Sequence, residues 1–415
     1  MNSSYKRVLV TIIIAVSAWF FYSCEPDSPD ISPMPPSTSD IPKADEPEKI
    51  LYFLENSGSM KGYVNGDTDF EVTISGLAHL AEFDKVDKSF YFISGKAGAC
   101  IVEPINNFDS QGFIPTKYSQ KFSDLTEMFE VALDSAHSSN ISIVVTDGLY
   151  DIGVTDDPIR ALEKVTKKTQ ETFRSSLTEE GIETILIKAT SKFTGTYYMA
   201  SGGSTSTIKH SRPYYIFLFG KKEYFGDEVL KNIRQEVKGF ENLTRFITVD
   251  QNLHIPYAAT NDNRRGSYKI DYNDKRKIND AESYHGVFQF SIEADLSTIP
   301  VSREYKLDTE NYTASNNYRI LSVVEKDNRL ADDLSDPTHL ITVVTDKNPI
   351  GETVVELVFT LPDWIEQTDA IDESAATVAS NKTFGFRALT DAISEAYSFY
   401  NANEPLARFK VKISN

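Results

Sequence analysis

The sequence predicts an α/β protein in two parts. A doubly wound parallel sheet is followed by a mainly β, sandwich-like region with a C-terminal helix. Between residues 50 and 250, apolar runs of strand length alternate with longer amphipathic stretches, which is the pattern of βα units. After residue 251, extended runs follow one another without helices between them, which favours a β-sandwich. The length of 415 residues suits two or three domains at roughly 150 residues each.

The first part begins at residue 50, and each of its strands and helices is predicted from the spacing of the apolar residues. The run at 141–145 is continuous and β-branched, which is typical of a strand buried on both faces. Residues 191–213 separate two apparent strands and predict a protruding hairpin, which either contacts a partner or is only a long loop. The predicted strands are 50–54, 89–93, 141–145, 185–188, 214–219 and 245–249, and the predicted helices are 70–81, 126–136, 158–173 and 227–237.

The second part, 251–415, is predicted as a β-rich domain without a functional motif. Asn348-Pro349-Ile350-Gly351 is a turn signal and predicts a hairpin between its flanking strands. A helix at 384–400 packs either on the sandwich or on the first domain, and 407–413 alternates like a final edge strand. The polar stretch 261–280 is interpreted as a solvated loop or linker rather than a docking patch. The predicted strands before the helix are 286–296, 318–324, 340–344 and 353–361.

The N-terminus has the pattern of a secretory signal. Lys6 and Arg7 precede an apolar run at 8–22, which is shorter than the ~20 residues that span a bilayer. The run ends at Ser23-Cys24, and this resembles a bacterial lipoprotein signal in which Cys24 becomes the lipidated N-terminus. The alternative is an uncleaved anchor. The resemblance places the protein in the envelope of a Gram-negative bacterium, on the periplasmic side or at the cell surface.

These observations give four predicted regions. Residues 1–23 are the signal peptide, and residues 24–49 are an acidic tether. The stretch 25–49 holds seven of the seventeen prolines, so the tether should be extended. Residues 50–250 and 251–415 are the two folded domains.

The composition excludes several functional classes. Lys plus Arg is 42 against 61 for Asp plus Glu, a net charge of −19, so sequence-independent binding to nucleic acid is not expected. Two cysteines exclude a disulfide scaffold, and six scattered histidines contain no HExxH motif for zinc.

Oxygen-bearing side chains follow the predicted strands at one edge of the sheet. Glu55, Ser57 and Ser59 follow the first strand, Ser123 precedes a helix, and Asp147 follows the strand at 141–145. Ligands of α/β sheets bind at the carboxyl ends of the strands. Carboxylates and hydroxyls are hard ligands that suit Mg²⁺, Mn²⁺ or Ca²⁺. The pattern therefore predicts a divalent cation site without catalytic residues.

This arrangement resembles the metal-ion-dependent adhesion site (MIDAS) of von Willebrand factor A-type (vWA) domains. The family's Asp-x-Ser-x-Ser reads Glu55-x-Ser57-x-Ser59, its single Thr matches Ser123 (Thr126 being the other register), and its Thr-Asp-Gly contains Asp147. Glu in place of Asp adds a methylene, and Ser in place of Thr loses a methyl.

The resemblance implies that an Asp or Glu of a protein partner completes the coordination of the metal. Tyr63 and Tyr150, on loops near the site, are candidate partner contacts or packing residues.

Three functional hypotheses follow. The first is a metal-dependent binding lipoprotein, the second a structural or assembly subunit with a degenerate, metal-free site, and the third, least favoured, a hydrolase. The sequence does not indicate the oligomeric state.

Overall fold

The computed structural model describes residues 46–96, 99–249, 254–326 and 337–415. The described residues belong to one compact unit, Ala44–Asn415. The predicted signal peptide, Cys24 and most of the tether lie outside them. A domain boundary near residue 250 stays a prediction.

The described residues form an α/β structure with a seven-stranded sheet (sheet I), a five-stranded sheet (sheet II), a four-stranded sheet (sheet III) and a two-stranded ladder. Sheet I has the order β3-β2-β1-β4-β6-β5-β7. Its strands are β1 Lys49–Glu55, β2 Asp87–Lys96, β3 Ala99–Pro104, β4 Ile141–Thr146, β5 Ile182–Tyr198, β6 Ser204–Lys221 and β7 Phe240–Phe246.

Sheet I is mixed, so the prediction of a parallel sheet is wrong for part of it. In the described residues β1 pairs in parallel with β2 and with β4, whereas β3, β6, β5 and β7 pair in antiparallel fashion. The reason lies in the stretch 191–213, which extends two strands rather than interrupting the sheet. β5 and β6 are joined by a short turn, and such a connection can only produce an antiparallel pair.

Helices cover both faces of sheet I. On one face, α1 and α5 pack on Ile50, Tyr52 and Leu54 of β1. On the other face, α3, α4 and α9 pack around Phe53. The helices are α1 Asp69–Ala78, α2 Phe108–Gln111, α3 Leu125–Ala136, α4 Pro158–Glu180, α5 Asp227–Glu236, α6 Arg303–Leu307, α7 Trp364–Thr368, α8 Ala375–Val378 and α9 Phe386–Tyr400.

Short 3-10 turns supplement these helices in the described residues. They are Met60–Val64, Ala81–Phe83, Pro115–Lys117, Lys222–Tyr224 and Thr309–Asn311.

Sheets II and III share one apolar core, which contains Phe290 and Ile341 from sheet III and Val355 and Phe409 from sheet II. Sheet II has the order β12-β15-β18-β10-β9, and sheet III the order β13-β14-β11-β8. The strands are β8 Tyr257–Arg265, β9 Ser267–Ile270, β10 Lys277–Glu282, β11 Phe288–Ala294, β12 Tyr312–Ala314, β13 Arg319–Glu325, β14 His339–Thr345, β15 Gly351–Leu357 and β18 Ala407–Ile413, with the ladder β16 Asp369–Ala370 and β17 Thr383–Phe384.

Three predictions for this region are wrong. The turn at 348–351 joins β14 of sheet III to β15 of sheet II, so it crosses between sheets and forms no hairpin. β18 lies between β15 and β10 and is not an edge strand, because its alternation reports one buried face and says nothing about its two edges. The stretch 261–280 is not a loop: it contains β9 and parts of β8 and β10.

The C-terminal helix packs on sheet I. Leu389 and Ile393 of α9 belong to the same core as Phe53, and Phe386 stacks on Tyr215 of β6 with 4.3 Å between ring centroids. The hydroxyl of Tyr397 donates to the carbonyl of Ile182, 2.8 Å away. Of the two placements left open by the sequence, the structure therefore takes the return to the first part of the chain.

Candidate metal centre

The candidate site lies where β1 and β4 end side by side. Glu55 is the last residue of β1, and Asp147 directly follows β4. Because the two strands are parallel neighbours, their carboxyl ends meet at one edge of sheet I. The loop that contains Ser123 is hydrogen-bonded to the loop that follows β1. The Gly58 N–H donates to the Gln120 carbonyl at 2.9 Å, and the Gln120 N–H donates to the Asn56 carbonyl at 3.2 Å.

The structure brings the five predicted oxygen donors into one cluster. The Glu55 carboxylate interacts with the hydroxyls of Ser57 and Ser123, and the Asp147 carboxylate with the hydroxyl of Ser59. The two serines of the first loop are linked, with 2.8 Å between Ser57 Oγ and Ser59 Oγ. The cluster is Glu55, Ser57, Ser59, Ser123 and Asp147.

Local backbone geometry orients the two carboxylates. The Thr146 hydroxyl donates to Glu55 Oε2 and accepts from the Gly148 N–H at 2.9 Å. Gly148 has φ +73°, a conformation that glycine adopts without strain. It lets the chain turn back so that the Leu149 N–H donates to Asp147 Oδ1 at 3.2 Å. The Thr-Asp-Gly sequence therefore positions both acids.

Two cluster oxygens lack a partner. Glu55 is 0% exposed and Ser123 is 9% exposed. Glu55 Oε1 and Ser123 Oγ make no hydrogen bond of regular geometry within the described chain, and neither does the adjacent Asn56 Oδ1. Leaving such a group buried without a partner costs about 1–3 kcal/mol, so these atoms are suited to a bound cation or its water.

Burial and mutual repulsion keep the carboxylates from ionising easily. Burial, followed by the Asp147 charge, raises the pKa of Glu55 to about 7, against the stabilising hydroxyls of Ser123, Ser57 and Thr146. Burial likewise raises the pKa of Asp147, against the Ser59 hydroxyl and the Leu149 N–H. A cation at this point would reverse the effect, because it favours the charged form of both acids.

The sequence analysis did not single out Arg212, which is near the cluster. Its side chain is 2% exposed, it donates from Nη1 to the Val378 carbonyl at 2.8 Å, and its guanidinium lies 4.5 Å from the centroid of the Tyr197 ring. Its charge lowers the pKa of Asp147. The available signal was an arginine directly before the buried run at 214–219. Arg212 partly balances the two acids.

Of the two roles left open for Tyr63 and Tyr150, partner contact or packing, the structure shows packing. Tyr63 is 0% exposed and Tyr150 is 2% exposed. The Tyr63 hydroxyl donates to the Pro213 carbonyl, and the Tyr150 hydroxyl is 2.7 Å from Thr169 Oγ1. Both loops fold inward, so the aromatic rings complete the core and cannot contact a partner.

The structure also distinguishes the alternatives left open by the motif. Thr126 Oγ1 is hydrogen-bonded to Thr169 Oγ1 at 2.8 Å, so Ser123 is the residue of this loop that interacts with Glu55. Ser59 occupies the N-cap position of the 3-10 turn Met60–Val64 but makes no side-chain capping bond. Its hydroxyl therefore belongs to the oxygen cluster.

The donor set fits a hard divalent cation. It supplies two carboxylates and three hydroxyls, with two buried oxygens unpartnered, and such oxygens suit Mg²⁺, Mn²⁺ or Ca²⁺. No group of three or more His, Cys, Asp or Glu side chains converges in the described residues, but a site of two acids and three serines does not need one.

No protein-family model, curated protein or solved structure matches the chain. In the described ranges, no helix has the length and apolar character needed to cross a membrane.

Proposed function

We propose that the chain is an envelope-anchored lipoprotein that binds a protein partner through a divalent cation. In this proposal its α/β part is similar to a vWA domain, and the oxygen cluster holds Mg²⁺, or Mn²⁺ or Ca²⁺. An Asp or Glu of the partner completes the coordination. The observation that carries the proposal is the convergence of the five predicted donors at the ends of β1 and β4, with Glu55 Oε1 and Ser123 Oγ unpartnered.

Each donor has a separable task. Glu55 and Asp147 supply the negative charge, and the serine hydroxyls supply neutral oxygens that orient around it. A bound cation would supply positive charge and an open coordination position. Ser59 is half-buried whereas Glu55 is fully buried, so a partner approaches from the Ser59 side.

The fold supports the likeness to vWA domains only in part. The parallel pairing of β1 with β2 and with β4 is consistent with it. The antiparallel β6, β5 and β7 depart from the doubly wound parallel arrangement that the resemblance implies. The proposal therefore rests on the cluster and not on the sheet as a whole.

Calorimetry of the full chain purified in detergent tests the proposal directly. We expect saturable binding of one Mg²⁺ or Mn²⁺ near pH 7.5 that Asp147→Asn abolishes, because the amide cannot supply the negative charge. Asp134→Asn, an exposed change on α3, is the matched control and should bind normally. Equal binding by all three proteins would place the cation elsewhere and refute the assignment.

A second candidate function is supported by Arg212. Its buried positive charge beside Asp147 and the high pKa of Glu55 together allow the cluster to be nearly neutral without a cation. A metal-free structural or assembly subunit is therefore the alternative. Absence of calorimetric binding by the unsubstituted chain for Mg²⁺, Mn²⁺ and Ca²⁺ would favour it. A hydrolase is the less favoured reading, and we assign no catalytic residue.

A further inference from the structure

We propose that a basic and aromatic rim around the oxygen cluster selects a protein segment in which an acidic side chain is flanked by large apolar side chains. The rim is defined by Lys61, Lys117, Lys121, Phe122 and Tyr198. This inference rests on the proposed function, since the acidic side chain of the segment is the one that would complete the coordination.

The backbones of the three lysines lie on the loops that form the cluster. The Lys61 N–H donates to the Gly58 carbonyl at 3.4 Å, and Asn56 Nδ2 donates to the Lys117 carbonyl at 3.2 Å. Lys121 follows Gln120, whose backbone pairs with the first loop. The lysines therefore belong to the same loops that supply Ser57, Ser59 and Ser123.

The lysines provide positive charge on a strongly acidic chain. All three are exposed, and none makes an ion pair in the described part of the chain. Other lysines are paired, such as Lys188 with Glu241 at 2.8 Å. Asp124, which follows Ser123, and Asp151, whose N–H donates to the Ser123 carbonyl at 3.3 Å, offset part of this charge. The three lysines outnumber them, and an excess of positive charge around a cation site attracts an acidic segment and repels a basic one.

Two exposed aromatic rings complete the rim. Phe122 is 49% exposed and directly precedes Ser123. Tyr198, at the end of β5, is 47% exposed, and its ring lies 3.2 Å from the position of a Cβ on Gly58. Aromatic side chains are enriched at protein interfaces. With Tyr63 and Tyr150 buried, Phe122 and Tyr198 are the aromatic contacts that a partner would meet beside the cluster.

A protein segment fits this surface better than an anionic membrane, although lysines and aromatic rings suit both. The rim residues lie on the loops beside oxygens that are mostly buried, with Ser57 and Asp147 each 4% exposed and Ser59 half-buried. A single side chain can reach the half-buried Ser59 hydroxyl, whereas a lipid bilayer presents a broad surface. The structure therefore favours a carboxylate on a flexible side chain, with apolar neighbours resting on Phe122 and Tyr198.

The test uses fluorescent peptides and anisotropy with the full chain in detergent and Mg²⁺. The probe is Gly-Ser-Asp-Leu-Asp-Leu-Asp-Ser-Gly, compared with one peptide that carries Ser for both Leu and another that carries Asn for the central Asp. We expect the leucine peptide to bind at least tenfold more tightly than either, because the serine peptide loses the apolar contacts with Phe122 and Tyr198 and the asparagine peptide loses the carboxylate that would complete the coordination.

Variants assign the effect to the rim. Phe122→Ser with Tyr198→Ser should reduce the affinity for the leucine peptide to that for the serine peptide. The double change Lys117→Gln and Lys121→Gln should lower the affinity for the leucine peptide and make that affinity less dependent on salt concentration. Tyr272→Ser, at a residue 88% exposed, and Lys412→Gln, on β18, are the matched controls and should change neither.

The outcomes separate this inference from the proposed function. Equal Mg²⁺-dependent binding of the leucine and serine peptides would overturn the rim but leave the metal-dependent site. A leucine preference that needs Phe122 but no Mg²⁺ would support the rim and argue against the metal. No binding of any peptide would overturn the rim. The rim would also be overturned if the protein bound vesicles of phosphatidylcholine and phosphatidylglycerol but not the peptides, and if Lys117→Gln abolished that binding.

Discussion

Glu55 and Ser123 show what the cluster costs the protein when no ligand is present. Glu55 Oε1 and Ser123 Oγ are buried and make no hydrogen bond of regular geometry within the described chain, and a buried polar group in that state contributes less to folding than a fully hydrogen-bonded one. Residues kept for stability alone would not be arranged this way. Their substitution should therefore separate binding from folding.

We expect Ser123→Ala to change the free energy of unfolding by no more than about 1 kcal/mol, because the Ser123 hydroxyl makes no hydrogen bond of regular geometry and only a weaker interaction with the Glu55 carboxylate. The same change should weaken Mg²⁺ binding by about tenfold or more, which is the loss of about one ligand bond worth 1.4 kcal/mol. Urea unfolding and calorimetry measure the two effects. A loss of more than 1 kcal/mol in stability with normal binding would mean that Ser123 is structural.

The pKa of Glu55 predicts a pH dependence of stability. Since the folded-state pKa is about 7 against 4.5 in the unfolded chain, the folded state binds the proton more tightly between these values. The metal-free protein should therefore lose stability as the pH rises from about 5 to 7, by about 3 kcal/mol from this group. Urea unfolding at pH 5 and pH 8 measures the difference.

Glu55→Gln is the variant that isolates this effect. It keeps the size of the side chain without the titration, so its stability should change less with pH than that of the unsubstituted protein. Mg²⁺ should bind more tightly at pH 8 than at pH 6, because the cation displaces the Glu55 proton. An unchanged pH profile in Glu55→Gln would assign the dependence to other groups.

Among the elements, the β5–β6 hairpin packs on the turn that follows Ser59. A Cβ on Gly62 would lie 2.4 Å from the Phe193 ring, and a Cβ on Gly195 would lie 2.9 Å from the Gly62 Cα. The two glycines thus allow β5 to pack directly on the turn that follows Ser59. The Tyr197 hydroxyl donates to Glu373 at 2.7 Å, which connects the end of the hairpin to the segment before α8.

We expect Gly62→Ala to lower the free energy of unfolding by about 1–3 kcal/mol, the usual cost of overpacking, and to weaken Mg²⁺ binding by shifting Ser59. Gly226→Ala, where a Cβ would have nothing within 4 Å, is the control; because Gly226 is the N-cap of α5, it should cost up to about 1 kcal/mol of stability without changing Mg²⁺ binding. Chemical denaturation and calorimetry report both effects. Full metal affinity in a destabilised Gly62→Ala protein would show that the packing of β5 does not set the site.

At the scale of the whole molecule, most strand and helix positions in the first part follow from the apolar periodicity, except predicted strand 245–249, where β7 is Phe240–Phe246, and β3, which was not predicted. Predicted strand 141–145 is β4 at Ile141–Thr146, and predicted helix 126–136 is α3 at Leu125–Ala136. The direction of the strands could not be predicted in the same way. The apolar period and the burial of a strand are the same whether its neighbours are parallel or antiparallel. The hairpin predicted at 191–213 is present, and its two arms are continuous with the strands on either side as β5 and β6.

The candidate donors could be predicted because each directly follows or precedes a strong apolar pattern. Arg212 could not, since a buried arginine depends on partners such as the Val378 carbonyl that come from distant parts of the chain. The burial of Tyr63 was hidden for the same reason, because Phe193 and Tyr214 surround its ring from far along the sequence.

The predicted lipid on Cys24 would attach the whole protein to a membrane. Cys24→Ser should prevent lipid attachment and move the protein from the membrane fraction to the soluble fraction, since the apolar run at 8–22 is too short for a stable span. Labelling with radioactive palmitate, followed by fractionation after a high-salt wash, measures this. Ser23→Ala, which keeps a small residue before the cysteine, is the control. Retention of Cys24→Ser in the washed membranes would indicate an uncleaved anchor.

Because β18 lies in the middle of sheet II, this sheet can be completed only after the last strand of the chain has joined it. β18 follows every other strand of its sheet in sequence, yet it separates β15 from β10. Until β18 joins, each of those strands has an open edge, which invites pairing with other chains. A protein exported from its N-terminal end would carry these edges until residues 407–413 emerge, so aggregation during export should be most sensitive to changes in β18.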